Sequence, residues 1–316
     1  MAPWPLFLFL PTTTPKVPES LVPEDSPCPI HNDQASSPQM LSEYGHQLET
    51  ADRSQEALAC YALNAKKFPH SHLGWFDLAS ALQYQQRGRA LKYMQYAVRI
   101  KPTADLYNQL GVLQRTSMLH ADAITSFKNA ARLQPNDATP HFHLGASFEE
   151  LGDLNEALRC YRKSLDLEEK ENEARILNNI GALLAKLNKN KEALAAFAEA
   201  EEADPTFPET AFNQASMLID LSQLKEARKY LEAAKRLSPT DERIHARQVD
   251  LEKKELQVKR LRAADIVNKR DASLSKEDRL ARFQRVLTAC RGQGGKECMK
   301  EHLGQTDLDD DIIPIF

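Results

Sequence analysis

Glycine, aromatic side chains and long apolar runs are scarce in this chain of 316 residues. Glycine occurs 11 times, and aromatic residues make up 7% of the sequence. Sheet proteins with many tight turns use more of both, so the composition favours a mostly helical fold. A hydrophobic share of 42% is enough to build a substantial core.

The sequence also lacks a membrane-spanning run and an excess of positive charge. No uninterrupted apolar run approaches the ~20 residues that cross a bilayer. The best candidate, residues 4–10, contains Pro5 and follows no lysine or arginine; a weak targeting signal there stays an open alternative. The 41 basic and 45 acidic side chains give a net charge of −4, which argues against nucleic-acid binding. We therefore expect a cytoplasmic protein.

Cysteine is too sparse, at five residues, for a disulfide framework. Cys60 and Cys160 fall in predicted helices, where we interpret them as buried free thiols. Cys290, Cys298 and His302 lack the short cysteine pair of structural zinc sites, so no metal site is predicted. Phosphate-loop, nucleophile-elbow and zinc-protease motifs are absent too, so we expect no cofactor and no enzyme activity.

The prolines are concentrated near the start of the sequence and recur at regular intervals further along the chain. Nine of the 17 prolines lie in residues 1–38, and residues 1–37 are predicted to be disordered. Five later prolines are separated by 33, 33, 70 and 34 residues; they are Pro69, Pro102, Pro135, Pro205 and Pro239. The long gap is two periods with one proline missing, and fixed spacing of this kind predicts an array of repeats.

Residues 174–207 give the clearest unit of this array. Apolar residues at helical spacing, from Leu177 to Leu187, predict a first helix, and a second helix ends before Pro205. Gly181 lies within the first helix, where glycine costs about 1 kcal/mol relative to alanine. Close packing of two antiparallel helices, with Phe197 filling the space around Gly181, would explain it.

This pattern resembles the tetratricopeptide repeat, a motif of two helices with small, aromatic and proline residues at fixed places. The same frame predicts six repeats, at residues 38–71, 72–103, 104–137, 138–171, 174–207 and 208–241. The resemblance implies an all-α fold, a right-handed solenoid whose concave face is lined by the first helix of each repeat. It also implies an extended peptide or a partner's helix as the ligand.

Candidate partner-binding residues are those expected on the concave face of repeats three to six. They are Asn108, Gln109, Phe142, His143, Arg175, Asn178, Asn179, Phe212 and Asn213. A ladder of amides could pair with a peptide backbone, because each amide carries a donor and an acceptor. The alternative, left open, is that the amides bridge neighbouring helices.

The clamp that chaperone-binding relatives use for acidic tails is missing. Ser42 and His46 stand in the two corresponding places of the first repeat, and Asn108 and Val112 stand there in the third. Binding of an acidic chaperone tail is therefore disfavoured, and Arg175 is the lone basic residue that could meet a carboxylate.

Three segments follow the predicted array. Residues 242–270 predict a long charged helix that caps the last repeat, with a short coiled coil as the alternative. Residues 271–303 predict a short basic amphipathic helical segment, which either packs on the preceding helix or contacts a membrane or a partner. Residues 304–316 form an acidic tail, which is either disordered or a short binding motif.

The sequence thus predicts a non-enzymatic scaffold or adaptor that binds a protein or peptide partner. One alternative is a membrane-associated adaptor that uses the basic helix from Arg279 to Arg291, with the apolar residues 4–10 as a further candidate. Another is an accessory subunit that presents substrates to a transferase or ligase.

Overall fold

Helices account for all regular structure in the part of the chain that can be described. The computed structural model describes residues 28–30, 36–168 and 170–270, together with 277, 278, 281 and 285. These residues form thirteen bounded α-helices, contain no β-strand, and include four further helical positions after residue 276. The prediction of an all-α fold is confirmed.

The first twelve helices form six consecutive hairpins, in each of which two neighbouring helices pack together. The first helices of the hairpins are α1 Pro38–Thr50, α3 His72–Leu82, α5 Ala104–Thr116, α7 Ala138–Glu150, α9 Glu173–Lys186 and α11 Pro208–Asp220. The second helices are α2 Ser54–Lys67, α4 Arg87–Ile100, α6 His120–Leu133, α8 Leu154–Leu167, α10 Asn190–Ala203 and α12 Leu224–Leu237. The last helix is α13, Glu242–Arg270.

Glycine in a first helix allows the aromatic residue of the second helix to lie directly on its backbone. A Cβ atom built on Gly181 would lie 2.7 Å from the ring of Phe197, as the sequence predicts for this pair. Gly111 has the same relationship to Phe127, at 2.6 Å, and both rings are fully buried. The two helices of these hairpins therefore approach each other as closely as one aromatic ring between their backbones allows.

The proline period has a simple structural cause. Pro69 stands two residues after the end of α2 at Lys67, and Pro239 stands two residues after the end of α12 at Leu237. The same offset holds for Pro102, Pro135 and Pro205 after α4, α6 and α10. Proline cannot continue a helix, so each one fixes the point where a second helix ends.

The chain divides into two compact units, residues 1–172 and 173–316. In the first unit, α1 contacts α3 and α5 contacts α7; in the second, α9 contacts α11 and α11 contacts α13. Each second helix packs instead against the next first helix of its own unit. Among the described helices, no two second helices contact each other as closely as these first helices do. The first helices therefore form the inner layer of each unit.

Helix α13 covers the last hairpin of the second unit. Its Ile244 and Leu251 are 2% and 1% exposed and pack in the same core cluster as the apolar residues of α11 and α12. Lys254 donates from Nζ to the carbonyl oxygen of Ile219 over 2.6 Å, and Arg228 of α12 pairs with Glu255. These contacts cover the end of the helix stack, which would otherwise expose apolar surface.

The interpretation of Cys60 as a free thiol is wrong, because Cys60 forms a disulfide with Cys28. The sequence offers no periodic signal for this bond, since Cys28 precedes the first hairpin. Cys160, the other thiol assigned to a helix, is free and buried. Most of the segments predicted to be disordered, at residues 1–37, or acidic, at 304–316, lie outside the described residues, as do Cys290, Cys298, His302 and most of the predicted basic helix.

Candidate functional site

The nine residues predicted to bind a partner all lie on first helices, and they divide between the two units. In the first unit, α5 carries Asn108 and Gln109, and α7 carries Phe142 and His143. In the second unit, α9 carries Arg175, Asn178 and Asn179, and α11 carries Phe212 and Asn213. The two groups are therefore two surfaces, and each is described by itself.

In the first unit, much of the predicted surface is used for packing. Asn108 is only 8% exposed, whereas Gln109 beside it is exposed. The ring of His143 stacks on Phe127 with centroids 5.1 Å apart, and Phe142 lies 5.6 Å from Tyr161. Phe142 and His143 are half-buried, so only part of each side chain faces solvent.

The second unit brings two of its predicted amides together. Asn213 donates from Nδ2 to Oδ1 of Asn178 over 3.0 Å, and Asn178 is 4% exposed. This contact is the bridge between neighbouring helices that the sequence left as one of two alternatives. Asn179 is half-buried and Arg175 is exposed. Phe212 lies beneath the guanidinium of Arg243, 5.0 Å from the ring centroid, in a cation–π contact.

A cleft of about 580 Å³ opens beside Asn213 in the second unit. Its walls come mainly from the first helices α9 and α11, and α10 and α13 contribute the remaining helical residues. The lining residues are Ala182, Ala185, Lys186, Asn188, Asn190, Phe197, Asn213, Ser216, Met217, Asp220, Leu221 and Arg247. Small side chains on α9 leave the space open, and polar ones on α11 face it.

Some polar groups in this cleft have a hydrogen-bond or ion-pair partner, and others have none among the described residues. Arg247 of α13 pairs with Asp220 of α11 at 3.3 Å, which fixes both side chains at one side of the cleft. The hydroxyl oxygen of Ser216 is buried and has no hydrogen-bond partner among the described residues. A buried hydroxyl without a partner costs about 1–3 kcal/mol, so a change of side-chain orientation that gave Ser216 a partner would be favoured.

Ala182, Ser216 and Arg247 were not among the predicted residues, although a signal for the first two exists in the sequence. Ser216 follows Asn213 by three residues, which places both on one face of α11. Ala182 follows Asn178 and Asn179 by four and three residues in the same way. Extending the candidate face along each first helix by the helical period would have found these two lining residues.

A buried carboxylate connects the first two hairpins of the first unit. Asp77 of α3 is 2% exposed and accepts a hydrogen bond from the hydroxyl of Ser42 over 2.6 Å. His46 Nε2 lies 3.4 Å from the other oxygen of the same carboxylate. Burial raises the pKa of Asp77 above its ordinary value, while the contacts with Ser42 and His46 act in the opposite direction.

Ser42, His46 and Asp77 do not form a nucleophilic triad. A serine nucleophile must give its proton to a histidine base, and here the Ser42 hydroxyl donates its single proton to Asp77. The three residues hold α1 against α3, so we assign them a structural role. Elsewhere among the described residues, no group of three or more histidine, cysteine or acidic side chains is placed to hold a metal ion.

The repeated hairpin geometry is matched by sequence models of a known family. Residues 136–206 and 178–242 each match a model described as tetratricopeptide repeat. Residues 136–242 of the chain therefore consist of tetratricopeptide repeats. No helix in the described part of this tetratricopeptide repeat protein is both long and apolar enough to span a membrane.

Two known proteins are similar in sequence to this chain, each over about a third of its length. A peroxisomal targeting signal receptor of Candida albicans is 31% identical over 109 residues, which are 33% of this chain and 18% of the receptor. Tetratricopeptide repeat protein 37 of Xenopus laevis is 30% identical over 119 residues, 34% of this chain and 8% of that protein. The chain thus spans less than a fifth of the length of either relative.

A solved structure with a similar fold is that of pilF from Pseudomonas aeruginosa. It superposes with a TM-score of 0.56, at 16% sequence identity, over 69% of this chain and 99% of that one. At this level of identity the likeness concerns the fold alone, and it agrees with the succession of helical hairpins described above.

Proposed function

We propose that this tetratricopeptide repeat protein is a non-enzymatic, cytoplasmic scaffold or adaptor, and that its inner layer of first helices binds a protein partner. The ligand is an extended peptide segment or a helix of that partner. Proteins of this repeat family serve as interaction scaffolds, and one relative is named as a receptor for a targeting signal.

The cleft between α9 and α11 is the observation that carries this proposal. Its volume of about 580 Å³ falls within the ~300–1,000 Å³ of typical ligand sites. Apolar lining from Ala182, Ala185 and Met217 suits an aliphatic side chain. The polar residues around it would fix the direction of the ligand.

Two adjacent groups on α11 suit a peptide backbone. The Asn213 amide already donates to Asn178, and its carbonyl oxygen can accept an N–H from a ligand. The Ser216 hydroxyl, one turn further along, is unsatisfied, and after rotation of its side chain into the cleft it can donate to a ligand carbonyl. A backbone that meets both would be recognised whatever its side chains are.

Charge gives this face a further preference. Lys186 and Arg247 line the cleft, and Arg175 is exposed on the same first helix as Lys186. Asp220 is the acidic residue in the lining and already pairs with Arg247. We expect this cleft, unlike the clamp positions of the first and third repeats, to bind a ligand that carries a carboxylate near an aliphatic residue better than a basic one.

Selection from a random peptide library tests the proposal and does not require a known partner. The full chain is immobilised and panned with phage that display 12-residue peptides. We expect enrichment of sequences that combine acidic and aliphatic residues, and competition between them for a single site. If repeated rounds enrich no peptide above an albumin control, the proposed function is wrong.

A further inference from the structure

Cys60 and Cys160 occupy equivalent places in two hairpins. Each is the seventh residue of its second helix, α2 or α8, and each precedes the tyrosine that packs on the glycine of its hairpin. Cys160 packs in a cluster with Ala123, Ile124 and Phe127 of α6, a helix of the preceding hairpin. This place on a second helix therefore faces the hairpin that comes before.

The first hairpin has no described hairpin before it, and a short segment takes that place. Cys28 is bound to Cys60 and packs against the core cluster that contains Leu48, Ala57 and Tyr61. Cys60 is fully buried and Cys28 is half-buried. Terminal repeats need such a cover, because their outer apolar face otherwise meets water.

We propose that the Cys28–Cys60 disulfide holds this N-terminal cap in place and that reduction of the disulfide releases it. When the bond is closed, residues 28–30 are held over α2. When a dithiol reductant opens it, they are free to leave and the outer face of α2 is exposed. In the described structure Cys28 is joined to the first hairpin by this disulfide and by its packing on the core cluster, so we expect the disulfide to decide whether the cap stays in place.

The reaction balances with a dithiol as the reductant. A thiolate of the reductant attacks the sulfur of Cys28, which is the more accessible of the two, and Cys60 leaves as a thiolate that takes up a proton. The second thiol of the reductant then attacks the mixed disulfide. Cys28 is released as a thiol and the reductant becomes a cyclic disulfide. Oxidised glutathione reverses the change by the same exchange.

A disulfide in the cytoplasm has the properties of a switch. Disulfides in the cytoplasm are usually transient and redox-sensing, because thiols are kept reduced there. In that compartment the cap would be open by default, and oxidation would close it. Cys160 has no cysteine partner and is buried, so the equivalent hairpin in the array cannot respond.

Hydrogen exchange of the full chain, oxidised and after treatment with dithiothreitol, tests the proposal. We expect reduction to speed the exchange of α2 amides by about tenfold or more, because loss of a disulfide of typical strength favours local opening. Exchange in α8, which carries Cys160, should not change. Digestion without reductant should yield a peptide pair joined through Cys28 and Cys60.

Two variants keep the result specific. Cys28→Ser should show fast α2 exchange with and without dithiothreitol, whereas Cys160→Ser should respond as the wild type does. Equal α2 exchange in the oxidised and reduced wild type would overturn the proposal. So would a response to dithiothreitol that persists in Cys28→Ser, because it would come from other cysteines.

Discussion

Asn213 of α11 is hydrogen-bonded to Asn178 of α9 over 3.0 Å, thirty-five residues earlier in the chain. Ser42 and Asp77 are joined over 2.6 Å at the same separation of thirty-five residues, between α1 and α3. Polar residues at these places therefore connect successive first helices. In the second unit the bridge lies beside the cleft, so a single amide serves both the fold and the proposed site.

Replacing Asn213 by alanine should destabilise the second unit. The change removes the donor from Asn178, whose side chain is almost completely buried. We expect the free energy of unfolding in urea to fall by about 1–2 kcal/mol, the cost of a buried acceptor without a partner. Asn179→Ala, on the half-buried side of α9, should change it by less than about 0.5 kcal/mol. Equal losses in the two variants would contradict the assigned bridge.

Replacing Gly111 by alanine should destabilise the third hairpin. Its Cβ atom would lie 2.6–2.8 Å from three ring atoms of Phe127, a fully buried side chain. Overpacking of this kind costs about 1–3 kcal/mol, which thermal or urea unfolding would detect. Gly88→Ala is the matched control, since nothing lies within 4 Å of the new methyl group. A Gly111→Ala variant as stable as Gly88→Ala would show that the ring does not pack as described.

Truncating Leu251 should weaken the cover that α13 provides. Leu251 is 1% exposed, and Leu251→Ala should cost about 2–5 kcal/mol, as for other buried leucines. Leu261 of the same helix is 63% exposed, and Leu261→Ala should cost less than about 0.5 kcal/mol. Urea unfolding of the two variants compares them directly. A larger loss at Leu261 would favour the coiled-coil alternative over capping.

Asp77 should make the stability of the first unit depend on pH. Burial raises the pKa of its carboxyl group in the folded state, so the folded chain holds the proton more tightly than the unfolded chain does. The wild type should therefore lose stability as pH rises from about 4 through the raised pKa. Asp77→Asn keeps an acceptor for Ser42 but has no charge, so its stability should lack this fall.

Unfolding in urea at a series of pH values from about 4 upward measures the effect. The stability of Asp77→Asn relative to the wild type should grow with pH and then level off. Ser42→Ala removes a hydrogen bond that lowers the pKa of Asp77, and it should steepen the loss. A difference that shrinks as pH rises would mean that burial does not dominate at Asp77.

The hairpins could be predicted from sequence because their determinants are local and repeat. Gly181 and Phe197 lie sixteen positions apart within one repeat, and the prolines after the second helices keep the period visible. The Cys28–Cys60 bond could not be predicted in this way, since Cys28 belongs to no repeat. The candidate site could be predicted only in part. The repeat pattern identifies the helices that carry the site. It does not specify side-chain positions, and these decide whether Asn178 binds a partner protein or hydrogen-bonds to Asn213.

A partner segment held in the cleft of the second unit should be displaced by a bulky side chain placed there. The deciding quantity is the dissociation constant of a peptide selected on the wild type, measured by fluorescence anisotropy for Ala182→Trp and Ala198→Trp. Ala182 lines the cleft, so its tryptophan should fill the space and weaken binding by about tenfold or more, a loss of ~1.4 kcal/mol. Ala198 is exposed on the second helix α10, and its tryptophan should leave the affinity unchanged. If Ala182→Trp binds the peptide as tightly as the wild type does, the segment does not lie in this cleft.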